Sequence, residues 1–332
     1  MKTILNRLIA HETLSKEEAK HILKQISTEE SSEVQIAAFL TVFMMRNITL
    51  DELTGFRQAL LELCHALDFS EFDPIDLCGT GGDSKNTFNI STLAAFVTAG
   101  AGVHVAKHGN YGVSSVSGSS NVLEFLGLKF GQDEALHKRC LDKANICILH
   151  APLFHPAMKN VAPLRKSLAL KTFFNMLGPM VNPCQPQKQL VGVYSLQLLR
   201  LYSYLYQKNH KAYTIVHALD GYDEISLTQS AKVVTHQEDR VLEPEDFGLK
   251  RHSPEAIFGG NSVKEAADIF MNVLNNQSTT EQQHVVCANA ALAISVSKDL
   301  DLKTAFAEAR ESLKSGQALK SFNRLIELSQ ST

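Results

Sequence analysis

Residues 72–93, FDPIDLCGTGGDSKNTFNISTL, change the texture of the chain. Pro74 breaks the helical pattern that precedes it, a short apolar run follows, and glycines at 79, 81 and 82 end that run in a turn open to positive φ angles. A strand closed by such a turn and followed by a helical run reads as the first strand–helix connection of an α/β sheet. Successive N–H groups in the turn would form a concavity for an anion such as a phosphate. The segment fails both nucleotide-loop patterns: residue 84 is Ser where the dinucleotide fingerprint needs its last glycine, and no Gly-Lys-Ser/Thr follows. Taken alone, a turn of this kind is more often plain structure than a site.

Upstream the chain reads as helices. Ser15 with Glu18 and Thr49 with Glu52 are capping boxes, each just ahead of a periodic apolar run. Between them EVQIAAFLTVFMMRN (33–47) is apolar nearly all round, which predicts a helix buried on several sides or facing a partner chain. Downstream, the strand-like pieces 102–109, 145–151, 189–195 and 212–221 alternate with the helical pieces 91–101, 133–144 and 195–207. The expected fold is a small N-terminal helical domain, residues 1–70, and a larger α/β domain, residues 71–332, with a central sheet surrounded by helices. A helix-and-proline stretch, 155–183, interrupts the alternation, and a helical segment near 166–188 is expected to join the first domain. From residue 263 the chain reads as mostly helical, with 280–296 as a well-buried helix.

Composition narrows the function. The chain has 332 residues, 44% of them apolar, and its 32 basic against 35 acidic side chains leave a net charge of -3. That balance supplies no general pull toward nucleic acid or an anionic membrane, so any anion site is local. Asn6 and Arg7 interrupt the apolar start that a secretory signal needs, and no run approaches eighteen apolar residues, so a cytoplasmic protein is expected. The six cysteines (64, 78, 140, 147, 184 and 287) show no CxxC spacing and read as reduced, packed thiols.

Three features add to the glycine turn. Asn89-Ile90-Ser91-Thr92 stands before an apolar helix, where it can supply N-cap side chains and the free N–H groups of a helix start; simple capping explains it equally. The stretch VAKHGNYGVSSVSGSSNVLEFLG (105–127) carries Lys107 and the hydroxyls of Ser114, Ser115, Ser117 and Ser119 among glycines, a phosphate grip or a flexible surface loop. Asp83, a carboxylate inside the glycine turn, repels an anion unless a cation or a ribose hydroxyl offsets it. Asp223 and Glu224, with Ser91, are oxygen donors of the kind that suit magnesium, although an acidic pair by itself is usually a solvated turn.

With GTGGD (79–83), NIST (89–92), KHGN (107–110) and its serine-rich loop, HPAMKNVAPLR (155–165) and FNMLGPMVNP (174–183) all present in this order, the chain closely resembles the anthranilate phosphoribosyltransferase family along nearly its whole length. The resemblance implies a nucleoside phosphorylase/phosphoribosyltransferase-like fold and a transfer from 5-phosphoribosyl 1-diphosphate (PRPP) to anthranilate. It also implies about two magnesium ions per subunit, a homodimer formed through the helical domain, and an active site in the cleft between the domains. Carried over by position, Gly79, Gly82, Asp83, Thr87, Asn89, Ile90, Ser91, Thr92, Lys107, Ser115 and Ser119 would contact PRPP. Ser91, Asp223 and Glu224 would hold magnesium, and Gly79, Asn110 and Arg165 would contact anthranilate. Lys107, His108 and Asp83 would serve catalysis, and His108 and His155 would line the path of the aromatic acid. Tyr111 and Val116 depart from the family pattern, which places arginine and lysine there.

Two other readings fit the residues less well. A pyrimidine nucleoside phosphorylase would carry KHSTGG and a later SGRGL stretch, and neither string occurs. A non-catalytic nucleic-acid-binding relative would need a basic groove, which the charge balance does not favour.

Overall fold

The protein is represented by a computed structural model that describes residues 1–28, 31–112, 116–159, 161–168, 170–209 and 211–331, with the backbone alone at Lys166. By its internal contacts the chain forms two units, residues 1–67 with 151–185, and residues 68–150 with 186–332.

The first unit is helical. Helices Lys16–Ser27 and Leu50–Glu62 start at the two capping boxes, each with both reciprocal hydrogen bonds formed. Glu52 is fully buried, and its carboxylate accepts the N–H groups of Leu14 and Thr49 and both guanidinium nitrogens of Arg46. Burial pushes its pKa up, but Arg46 and the two amides hold it below the ordinary value. Phe39 and Phe43 of helix Glu33–Met45 meet Phe56 and Phe173, and Phe173 stacks on Phe56 at 4.4 Å between centroids. Phe173 thus ties the 151–185 segment to the helices around it, and truncating such a ring costs about 3–5 kcal/mol.

The second unit is built on a seven-stranded sheet: β1 (Ile75–Leu77), β2 (Val105–Gly109), β3 (Ile146–His150), β4 (Lys188–Gly192), β5 (Ala212–Ala218), β6 (Ala231–Thr235) and β7 (Asp239–Leu242). Their order is β3-β2-β1-β4-β5-β6-β7; the first five are parallel, and β6 and β7 add on antiparallel. β1, β2 and β3 are buried at every position, as strands covered on both faces must be. The covering helices include Ile90–Gly100 and Thr280–Lys298, both lined with small apolar residues that pack on the sheet and each other. The expected architecture is present. β6 and β7 are strands that periodicity does not single out, because they are five and four residues long and neither alternates strictly.

Candidate active site

In the strand order, β1 leads on to β2 at one side and β4 to β5 at the other. Parallel sheets open a crevice beyond the carboxyl ends of strands at such a reversal, and here the glycine loop occupies it. Cys78 N–H donates to Leu190 O (3.1 Å) and Thr80 N–H to Gly192 O (2.9 Å), so the β1–β4 ladder runs on into the loop. The 219–226 loop lies directly against this backbone. A Cβ at Gly79 would sit 2.7 Å from Asp223 Oδ2, and one at Gly192 would sit 1.5 Å from the Asp223 carbonyl oxygen. Glycine at both positions is what lets Asp223 in. Gly81 and Gly82 take positive φ, and the Gly81 N–H donates to Asp223 Oδ2 at 2.8 Å.

Three carboxylates converge. Asp83 accepts the Lys85 N–H at 2.9 Å and shares a hydrogen bond with the Asp223 carboxyl. Burial, then the charge of Asp83, push Asp223 up to about 7. Burial, then Asp223 and Asp83, push Glu224 well above the ordinary carboxylate range. Glu224 Oε1 accepts the Ser91 N–H at 3.0 Å, while Oε2 is buried with no hydrogen-bond partner. A buried, unpartnered carboxylate oxygen beside two further carboxylates is a donor set for a hard divalent cation. Among the described residues no three His, Cys, Asp or Glu side chains stand at ligating spacing, so the fit is one of donor chemistry and not of a preformed shell.

The contact between Glu224 and Ser91 alters the expected role of Asn89. Asn89 is the N-cap of helix Ile90–Gly100 but makes no side-chain cap. Its Nδ2 reaches across to Ser117 O (3.2 Å), its Oδ1 is buried without a partner, and the first turn is capped instead by Glu224, 133 positions away. Ile90 and Thr92 are buried in that turn. Thr87 forms a bridge with Phe258, and the Phe88 and Gly259 N–H groups donate to Ile257 O and Asn86 O, which ties the outer side of the glycine loop to residues 257–259.

Lys107 and His108 lie on β2. Lys107 is 2% exposed and its Nζ donates to Leu77 O at the base of the glycine loop. The His108 N–H donates to Asp76 Oδ1 (3.1 Å), while Asp76 Oδ2 accepts from Gln189 (3.3 Å), so this buried carboxylate braces β2 against β4. Asn110 O accepts from Ser119 Oγ and the Ser120 N–H, both at 3.2 Å, and Asn110 Oδ1 accepts the Tyr111 N–H. Asn121 Oδ1 takes the N–H groups of Gly112 and Gly118, closing the two ends of the serine-rich loop. Ser114 and Ser115 lie outside the described residues. Tyr111, where the family pattern has a cation, donates its hydroxyl to Glu124 at 3.2 Å and sets its ring edge-on to His150; Val116 is exposed.

Arg165 and His155 belong to the first unit. Arg165 sits on helix Ala162–Leu168 with its guanidinium 5.2 Å from the Phe174 ring centre, its Nη2 3.4 Å from Asn175 Oδ1, and its pKa lowered by burial. His155 donates Nε2–H to Val181 O at 2.8 Å, and burial lowers its pKa to about 4, so it is neutral at physiological pH.

Sequence reading missed Asn289. Its side chain accepts the Ile225 N–H (3.0 Å) and donates to Ile225 O (2.9 Å), pinning the residue next to Glu224 from a helix far along the chain. The available signal was a lone amide inside the apolar run 285–294.

Residues 2–64 match the glycosyl transferase family, helical bundle domain, and residues 71–319 match the glycosyl transferase family, a/b domain. The chain is 60% identical to the anthranilate phosphoribosyltransferase of Christiangramia forsetii over 330 residues, covering 99% of this chain and 100% of that one. It is 52% identical to the enzyme of the same name from Bacteroides thetaiotaomicron, covering 99% of each. Among solved structures, anthranilate phosphoribosyltransferase from Thermus thermophilus superposes with a TM-score of 0.91 at 32% identity, over 98% of this chain and 99% of that one. The Saccharomyces cerevisiae enzyme in complex with PRPP and Mg gives 0.90 at 27% identity, over 99% and 97%.

Proposed function

The chain belongs to the anthranilate phosphoribosyltransferase family, and from that premise we propose how its residues carry the reaction. The reaction is the transfer of the phosphoribosyl group of PRPP to anthranilate, giving N-(5-phosphoribosyl)anthranilate and diphosphate, the second step of tryptophan biosynthesis from chorismate. The enzyme is a pentosyltransferase.

The observation that carries the site reading is the carboxylate group Asp83, Asp223 and Glu224 laid on the glycine loop at the strand reversal, with Glu224 Oε2 lacking a partner. Asp223, Glu224 and Ser91 would hold magnesium, about two ions per subunit; the Mg in the yeast complex supports the use of the metal. Bound there, magnesium would neutralise the charge that grows on the departing diphosphate. Gly79, Gly82, Asp83, Thr87, Asn89, Ile90, Ser91, Thr92, Lys107, Ser115 and Ser119 bind PRPP, and the amides and hydroxyls among the described residues are oriented beforehand, so that little reorganisation opposes the reaction. Lys107 holds its charge at the base of the loop through Leu77 O. Arg165 takes the anthranilate carboxylate in its planar fork, and Gly79 and Asn110 complete the contacts to the aromatic acid. Anthranilate's amine is neutral near pH 7 and needs no strong base before it attacks, so Asp83 and His108 act by positioning and by accepting the proton afterward.

The protein works as a cytoplasmic homodimer. Helix Glu33–Met45 supports this, with Val34 79% and Met45 83% exposed on one face beside exposed Ala38 and Thr41. No helix among the described residues is long and apolar enough to cross a membrane. The test is the loss of anthranilate fluorescence on adding PRPP and magnesium; no loss with the purified protein would overturn the reading.

A further inference from the structure

Lys85 is the cation of the glycine loop to which the residue assignments above give no role. It follows Ser84, whose φ of 61° turns the backbone sharply, and its own N–H is bound to Asp83 Oδ1. The side chain runs beside Gly221, 3.8 Å from where a Cβ would stand, and lays its ammonium over the face of Tyr222, with Nζ 4.7 Å from the ring centroid. Tyr222 is buried, directly precedes Asp223, and is flanked by the charges of Asp220, Asp83 and Glu255. A lysine among so many carboxylates would be expected to settle on one of them. It rests instead on an aromatic face, a contact weak enough to leave, at the end of a four-carbon stem that can swing.

The serine-rich loop explains why such a charge matters. Where the family pattern has two cations, Tyr111 is engaged with Glu124, and Val116 is apolar and 47% exposed. Neither supplies charge. Of the described lysines nearest the glycine loop, Lys107 is buried and committed to Leu77 O, which leaves Lys85 as the mobile one.

We propose that Lys85 is a substrate-binding residue that reaches the diphosphate end of PRPP, and that Tyr222 is the positioning residue on which its ammonium waits. The inference rests on the site reading above, in which Asp223, Glu224 and Ser91 would hold the magnesium that faces the diphosphate. Lys85 then supplies a charge-assisted contact to phosphoryl oxygens, and its attraction is screened by salt.

The test uses the full chain and two kinds of measurement. Calorimetric titration of the wild type with PRPP and magnesium comes first; no binding would overturn the site reading and this inference with it. Given binding, Lys85→Met should raise the PRPP Kd and KM about tenfold, the loss of one charged contact. Its kcat and its anthranilate KM should stay within about twofold, and Lys85→Arg should recover most of the loss. Inorganic diphosphate with magnesium should inhibit Lys85→Met about tenfold less well, while inhibition by ribose 5-phosphate should be unchanged. The dependence of PRPP KM on ionic strength should flatten in Lys85→Met. Tyr222→Leu removes a contact that the ammonium leaves on binding, so it should leave PRPP KM unchanged or slightly lowered and change nothing in the Lys85→Met background. Unchanged PRPP affinity in Lys85→Met, with wild-type binding intact, would overturn the inference alone, as would equal losses toward diphosphate and ribose 5-phosphate.

Discussion

Asp223 and Gly79 share a space that holds only one of their side chains: Asp223 Oδ2, which accepts the Gly81 N–H at 2.8 Å, stands 2.7 Å from where a Cβ on residue 79 would be. Gly79→Ala should therefore displace the Asp223 carboxylate, not the strand beneath it. The expected result is a PRPP KM raised by about tenfold or more with a stability loss of about 1–3 kcal/mol. Steady-state kinetics with a thermal melt on the same sample separates the two effects.

Asp223 also makes stability depend on pH and on magnesium. Its folded value of about 7 lies above the ordinary 3.8, so without metal the folded state holds a proton that the unfolded chain releases. The Asp223 contribution to stability should fall as pH rises from about 4 to 7, by about 4 kcal/mol, with Asp83 and Glu224, both also raised, adding in the same direction. Asp223→Asn should flatten this slope. Magnesium with PRPP at pH 8 should raise the wild-type Tm and leave the variant nearly unmoved, because only a state that binds the ion gains from it. Parallel pH-dependent melts in chelator and in magnesium decide the matter.

His155 has the opposite sign. Burial holds it at about 4, below the ordinary 6.5, so the neutral folded form stabilises above pH 6.5 and that contribution is lost as pH falls toward 4. The loss should be about 3 kcal/mol. Urea unfolding at pH 5 and pH 7.5 should show the wild type gaining stability relative to His155→Gln between those values, on top of the Asp223 slope that both proteins share. The pH–rate profile between 6 and 9 should carry no His155 step.

Arg165→Ala should raise the anthranilate KM about tenfold while PRPP KM stays within about twofold. Among the described residues its guanidinium meets Phe174 and Asn175, so the melting temperature should drop by a few degrees at most. An unchanged anthranilate KM would remove this residue from the carboxylate contact.

Tyr111→Arg tests whether the missing loop charge can be restored in place. Glu124 already meets the tip of residue 111 at 3.2 Å, and an arginine there would pair with it. The expected gain in PRPP affinity is therefore about twofold or less. Glu124→Gln combined with Tyr111→Arg should release that charge and tighten binding further, read by calorimetry.

Local chemistry was legible in the residues. The capping boxes at Ser15 and Thr49, the turn at Gly79–Gly82 and the alternation that marks β2, β3, β4 and β5 all formed, since each rests on bonds or burial repeats within a few positions. Asn89 was the instructive exception. A side chain at a helix start normally caps its own helix, and here it crosses to Ser117 because Glu224 has taken the Ser91 N–H. β6 and β7 were hidden because strands of five and four residues at a sheet edge carry too short a pattern to stand out.

By itself, the sequence determined which short segments carry backbone donors, hydroxyls and carboxylates, because glycine spacing and polar side chains set their local conformation and chemistry wherever they fall. Only the tertiary structure decided that Asp223 lies against Gly79 and Gly192, that Asn289 pins Ile225, and that three carboxylates share one buried neighbourhood. Those meetings depend on the order in which parallel strands assemble, which places segments more than a hundred residues apart side by side and removes the water that would otherwise keep their charges separate.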